Sequence, residues 1–164
     1  MVDSSDEAGI SHRSDRYLIA RTAGSCRCCR QGTDLVALVL PPGHETWSPD
    51  DALEADGSWE RAAFPALLFY VEFLPVDVAQ RLRALAPAYR PAFSPETQGT
   101  YWANHCGRCG AVQEDHELFC EPEGAFLPLS PGAAPAIELV TLHERFEAAA
   151  AGYIIDPEFI ECEA

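Results

Sequence analysis

No lysine occurs among the 164 residues: all 11 basic side chains are arginine, set against 26 acids for a net charge of −15 and a pI near 4.5. That absence excludes Schiff-base chemistry and the phosphate-binding lysine of a P-loop. The charge deficit works against phosphate backbones and anionic lipid headgroups, so neither nucleic acid nor a membrane is an expected partner. Long apolar runs are missing as well. The stretch from Phe64 to Leu74 is too short for the roughly 18 residues of a membrane span, and it carries Glu72. The opening MVDSSDEAGISHRSDRY lacks the basic start and apolar run of a secretory signal.

Catalytic signatures are equally scarce. There is no G-x-S-x-G elbow, G-x-G-x-x-G loop or Walker sequence. The pairs His44-Glu45, His116-Glu117 and His143-Glu144 lack the second histidine that a zincin helix places four residues after the first. No H-x-E precedes a P-C-x-x-C, which excludes the zinc deaminase pattern.

What is present is enough apolar material, 48% of residues, to bury a core within one domain's length. The expected organisation is a disordered acidic leader over 1–14, a single α+β domain over 15–160 and an acidic tail over 161–164. YLIART from Tyr17 to Thr22 and DLVALVL from Asp34 to Leu40 read as two strands joined by a cysteine-bearing turn. Ala66 to Leu74 is a nearly continuous apolar run, as for a strand covered on both faces. Ser48, Pro49, Asp50 and Asp51 carry the N-cap and first-turn chemistry of a short helix ending before Gly57. Val78, Leu82 and Leu85, spaced i, i+4 and i+7 between Pro75 and Pro87, predict an amphipathic helix. Residues 89–110 read as loop-rich but end in aromatic residues leading into the second cysteine turn, repeating the strand-into-knuckle pattern of the first; Ile137 to Leu142 reads as a strand and His143 to Ala151 as a short helix. The fold class expected is therefore α+β: a small antiparallel sheet with two zinc knuckles and a few short helices.

The chemistry rests on cysteine. A soluble, cytoplasmic chain keeps its thiols reduced, so seven cysteines call for something other than a disulfide framework. Cys26 and Cys29 form one C-x-x-C; Cys106 and Cys109 form another, with Gly110 directly after it. Two such turns place four thiolates about 2.3 Å from one zinc ion, a closed tetrahedral site that is structural and not hydrolytic. Glycine suits the turn that follows the second cysteine, and the nearest equivalent in the first turn is Gly32. The 76 residues between Cys29 and Cys106 exceed the roughly 15–20 of a compact ribbon, so most of the fold is inserted between the two halves of the site. Four thiolates also accommodate iron. Cys28, Cys120, Cys162 and His105 are read as outside the ligand set.

CRCCRQGTDLVAL and the later YWANHCGRCGAVQEDHELFCEPEGAF resemble a family of uncharacterised bacterial, zinc-ribbon-like proteins with an early C-x-x-C turn. The later segment of that family runs approximately Y-x-A-N-x-C-x-x-C-G-A-x-Q-G-D, continued by E-P-x-G-x-F. Tyr101, Ala103, Asn104, Cys106, Cys109, Gly110, Ala111, Gln113 and Asp115 match the segment, and Glu121, Pro122, Gly124 and Phe126 match its continuation. Arg27, Gln31 and Glu114 depart from it. The resemblance implies that the distant C-x-x-C pairs belong to one site, and it implies no activity.

Four functional readings follow. The first is a non-catalytic zinc protein that acts by binding another protein, for which Trp47, Trp59, Tyr101 and Trp102 are either a recognition surface or the mini-core around the metal. The second is a metal-dependent hydrolytic enzyme using residues 113–117 within the cluster Glu114, Asp115, His116, Glu117, Glu121 and Glu123, whose alternative is a solvated acidic face. The third is a redox or zinc-release sensor built on Cys28. The fourth, a nucleic-acid module served by Arg27, Arg30 and Arg108, is opposed by the charge.

Overall fold

The computed structural model describes residues 9–48, 57–95, 98–115, 118, 126, 137–155 and 157. Its backbone is dominated by one antiparallel sheet of eleven strands. Strands β1 (His12–Ser14), β2 (Tyr17–Ser25), β3 (Gly32–Leu40), β4 (Glu45–Ser48), β5 (Ser58–Arg61) and β6 (Ala66–Phe73) come first. Helix α1 (Val76–Leu85) follows, then β7 (Tyr89–Ser94), β8 (Gly99–His105), β9 (Val112–Gln113), β10 (Glu138–Leu142) and β11 (Phe146–Ile155). The strand order is β10-β2-β3-β6-β11-β1-β4-β5, with β8 also on β6 and both β7 and β9 on β8.

This corrects the α+β expectation. Among the described residues α1 is the one continuous helix, and it forms where the spacing of Val78 and Leu82 places it, both side chains being buried. The helix expected over His143 to Ala151 is instead the start of β11. Its alanine run carries high helix propensity, but β11 is paired on both edges, with β6 and β1, and tertiary pairing overrides propensity. Small side chains suit this central position. At Gly152 an added Cβ would lie 2.1 Å from Cε2 of Phe69, so the Phe69 ring lies across the glycine of the neighbouring strand.

Within the segment read as loop-rich, Tyr89–Ser94 and Gly99–His105 pair as β7 and β8, and β8 is the strand that the aromatic run into the second knuckle leads one to expect; Pro91 is tolerated because β7 is an edge strand. Ser48 ends β4, and the rest of the helix expected there, 49–56, lies outside the described residues. Residues 12–14, assigned by sequence to the leader, are β1 and pair with β11 and β4. Residues 1–8 and 161–164 are outside the described set.

Both faces of the central strands are covered, as the continuous apolar run of β6 requires. One face gathers Tyr17, Ile19, Leu38, Leu40, Leu68, Val71 and Phe146 under Val78 and Leu82 of α1. The opposite face gathers Ala20, Leu35, Ala37, Val39, Leu67 and Phe126.

The edges of β6 position the metal centre. One edge pairs with β11 along the strand; the other is divided between β3, at Ala66 to Leu68, and β8, at Val71. At the division Tyr70 adopts φ +49°, a left-handed conformation that aromatic residues rarely take.

At the far side of the sheet His12 and His44 are both buried, with ring centres 6.2 Å apart. Burial above all, with the neighbouring His44, lowers the His12 pKa to about 4, and burial lowers that of His44 too. A lowered folded-state value means that the unfolded chain binds more protons between about pH 6.5 and pH 4. Stability from this group is therefore full above about 6.5 and is lost as pH falls toward 4, by on the order of 3 kcal/mol. Urea midpoints measured from pH 7 to pH 4 should fall more steeply for the wild type than for His12→Phe; parallel curves would show that His12 is not the titrating group.

Candidate metal centre

Each knuckle is a tight turn at the end of a hairpin, the first between β2 and β3 and the second between β8 and β9. The two are built alike. Cys26 N–H donates to Gln31 O at 2.8 Å and Arg30 N–H to Cys26 O at 3.0 Å; Cys106 N–H donates to Ala111 O at 2.8 Å and Gly110 N–H to Cys106 O at 3.0 Å. In both turns the residue after the second cysteine is left-handed, Gly110 at φ +79° and Arg30 at φ +65°. The place that glycine fills in the second knuckle is thus held by arginine in the first, at a steric cost that Gly32 does not relieve.

The turns aim backbone amides at sulfur. Cys28 and Cys29 N–H groups donate to Cys26 Sγ at 3.3 and 3.4 Å, and Arg108 and Cys109 N–H groups to Cys106 Sγ at 3.3 and 3.5 Å. These donors favour thiolate. The Cys26 pKa is lowered to about 6, chiefly by the Cys29 amide, and that of Cys106 is lowered chiefly by the Cys109 amide. At Cys109 the Ala111 amide also lowers the value, but the Cys26 sulfur beside it and burial outweigh that and push it up to about 12. Four thiols this close cannot all ionise without a cation.

The sulfurs of Cys26, Cys29, Cys106 and Cys109 all lie within 4.8 Å of one another. Cys26 and Cys109 approach to 3.5 Å, and Cys29 and Cys106 to 3.7 Å. These separations are far beyond the roughly 2.05 Å of a disulfide. They bracket the roughly 3.8 Å edge of a tetrahedron with metal–sulfur bonds of about 2.3 Å. The cluster can hold a metal ion.

The structure thus brings all four expected cysteines together across 76 intervening residues. Cys28 is exposed and outside the group. His105 is buried, its Nδ1 3.0 Å from Ala103 O and 3.2 Å from Ala88 O, engaged with backbone and not with the cluster. Cys120, Cys162, His116, Glu117, Glu121 and Glu123 lie outside the described residues.

Three buried polar side chains from the second hairpin and the residues just after it complete the centre; from sequence alone Asn104 has no task, and Gln113 and Asp115 have only a place in the hydrolytic alternative over 113–117. Asn104 pairs with Val36 like a strand, accepting its N–H at 2.8 Å and donating to its C=O at 2.9 Å. It thereby serves β3 where the edge that β6 has left is open. Gln113 ties the knuckles together: Oε1 accepts the Arg27 N–H at 3.1 Å, while Nε2 lies 3.4 Å from Cys26 Sγ and donates to Ala111 O at 2.9 Å. Asp115 accepts the Tyr70 N–H at 2.7 Å, filling the acceptor place at the division of β6. From the first hairpin, Thr33 Oγ1 accepts the Gly107 N–H at 3.1 Å. Of the two described acids of this segment, Glu114 is exposed and pairs with Arg27 at 3.3 Å.

Tyr101 is buried against Tyr70, with ring centres 5.3 Å apart, and Trp102 packs on the main core. Trp47 and Trp59 belong to the β4–β5 hairpin. Comparison with family models, with curated proteins and with solved structures finds no match to this chain. Of the expected kinship, the four-cysteine cluster is what stands.

Two measurements test the supporting residues. Asn104→Ala leaves a buried N–H and C=O of β3 without partners and should cost about 2–4 kcal/mol in urea unfolding; a cost near zero would remove Asn104 from this role. Burial pushes the Asp115 carboxyl up to about 7 despite the Tyr70 amide, which lowers it. The folded state therefore binds the extra proton, and stability from this group is full below about pH 4 and lost as pH rises through 7. Asp115→Asn, which keeps an acceptor for Tyr70, should remove that decline from the stability profile between pH 4 and pH 8.

Proposed function

We propose that this protein is a non-catalytic zinc protein of a reducing, cytoplasmic environment that works by binding another protein. One zinc ion held by Cys26, Cys29, Cys106 and Cys109 crosslinks the two hairpins. The observation that carries the reading is the fourfold sulfur cluster, with separations that suit one tetrahedral ion. Zinc coordinated by four thiolates has no open position for water, so its contribution is to folding.

Two of the residues that an enzyme reading over 113–117 would use are otherwise engaged. Gln113 is committed to both knuckles, and Asp115 is 1% exposed and bound to a backbone amide. A cleft of about 850 Å³ opens beside Gly107 and Arg108, but its lining, which includes Asp34, Tyr89 and Glu138, holds no histidine or cysteine. No described helix is long and apolar enough to cross a membrane. The surplus of carboxylates favours a cationic protein partner.

Elemental analysis of natively purified protein should find one zinc per chain. Cys26→Ser and Cys106→Ser should each lose it, with the thermal midpoint falling by about 10 °C or more. Absence of metal, or metal retained in either variant, would break the pairing of the two knuckles.

A further inference from the structure

The cleft of about 850 Å³ lies on the α1 side of the sheet, where β3 and β8 are joined by side chains, Val36 to Asn104 and Gly107 to Thr33, and not by a ladder. Its floor is apolar, with Val36, Ala86 and Tyr89 all buried. Four charged side chains, two of each sign, also line it: Arg21, Asp34, Arg108 and Glu138.

Strand register brings three of the four together. Glu138, Arg21 and Val36 form one rung across β10, β2 and β3, and Ala23 and Asp34 form the next rung on the same face. Arg21 therefore has one acid directly opposite and another on the diagonal, both neighbours that a long side chain can reach. It pairs with neither. Its guanidinium turns to the C-terminal end of α1 and donates to Leu85 O, where the helix dipole favours a cation. Arg108 comes from the other wall, within the second knuckle, its backbone fixed by the bond from its N–H to Cys106 Sγ. Among the described residues the side chains of Asp34, Arg108 and Glu138 have no hydrogen-bond or ion-pair partner. The cleft thus holds carboxylates and guanidinium groups that leave one another unneutralised around an apolar floor.

We propose that this cleft binds a short peptide with free termini, its carboxylate on Arg108, its ammonium between Asp34 and Glu138, and an apolar side chain on the floor. The site is separate from the protein-binding reading above and does not depend on it. A simple anion would meet two carboxylates here and a simple cation two guanidinium groups, whereas a molecule carrying both charges answers each sign with its opposite. Arg21 spends one of its five donors on Leu85 and keeps the others for peptide carbonyl groups. The volume falls within the range of about 300–1,000 Å³ typical of small-molecule sites.

The probe is the tripeptide Ala-Leu-Ala, compared with its N-acetylated and its C-amidated forms. Each is titrated against wild type, Arg108→Ala and the double variant Asp34→Asn with Glu138→Gln, following the amide resonances of Gly32 and Gly107, which line the cleft, and of Gly152, which does not. All three substituted side chains are exposed, so the variants should keep the fold, which the spectra themselves verify. In wild type the free tripeptide should shift Gly32 and Gly107 saturably and leave Gly152 in place, and blocking either terminus should weaken binding about tenfold. Arg108→Ala should no longer distinguish the amidated form from the free one, and the double variant should no longer distinguish the acetylated form. Absence of saturable shifts in wild type, equal affinity for all three forms, or discrimination retained in the variants would overturn the proposal. Zinc content measured on the same samples keeps the two readings apart: failure to bind in zinc-loaded protein would refute the cleft alone, and binding by zinc-free protein would refute the metal centre and leave the cleft standing.

Discussion

One edge of β6 is shared by two strands, and the rest of the architecture follows from that division. β3 takes the beginning of the edge and β8 the end, and each of these strands leads to or from a cysteine knuckle. Sharing the edge brings the two hairpins side by side and so brings four sulfurs within reach of one ion. It also interrupts the strand ladder, and backbone groups that lose a ladder partner in a buried place are costly. Val36 on β3 and Tyr70 on β6 are the residues so placed, and the second hairpin supplies Asn104 to one and Asp115 to the other.

The metal centre and the division of the sheet are therefore one construction. Gln113 and Thr33 reach across between the hairpins to hold the turns in register, and the amides within each turn converge on Cys26 and Cys106. A cation held among the sulfurs would add a crosslink between the two hairpins that share this edge. The hydrogen bonds across the split preorganise the ligands, so the ion does not have to gather them from a disordered chain. The covering helix and the two apolar faces of β6 keep the strands on either side of the split in place.

Much of this was legible in the residues themselves, unevenly. The four cysteines were identifiable as a set because C-x-x-C turns carry their chemistry locally. The amphipathic stretch over Val76–Leu85 and the strand from Ala66 were plain because their spacing or apolar continuity is local as well. The β11 segment misled, since its alanines favour a helix in isolation and become a central strand only when β6 and β1 flank it. Asp115 misled in a different way: in sequence it is one acid among several, yet it is buried under Tyr70 while its neighbour Glu114 remains exposed. Arg30 in the left-handed place of the first knuckle carried no signal at all, because glycine is the residue that announces such a turn.

By itself the sequence determined the ligands, the sign of the charge and the chemistry excluded by having no lysine, all properties of side chains and their immediate neighbours. The tertiary structure alone decided that the alanine-rich segment is a strand, that one edge of β6 serves two partners, and that Asn104, Gln113 and Asp115 are structural polar groups and not surface ones. The physical reason is that an unsatisfied amide or carbonyl has no counterpart in composition or spacing. It arises only when strands far apart in the chain take the same edge, and the side chain that meets it can then be recognised for what it does.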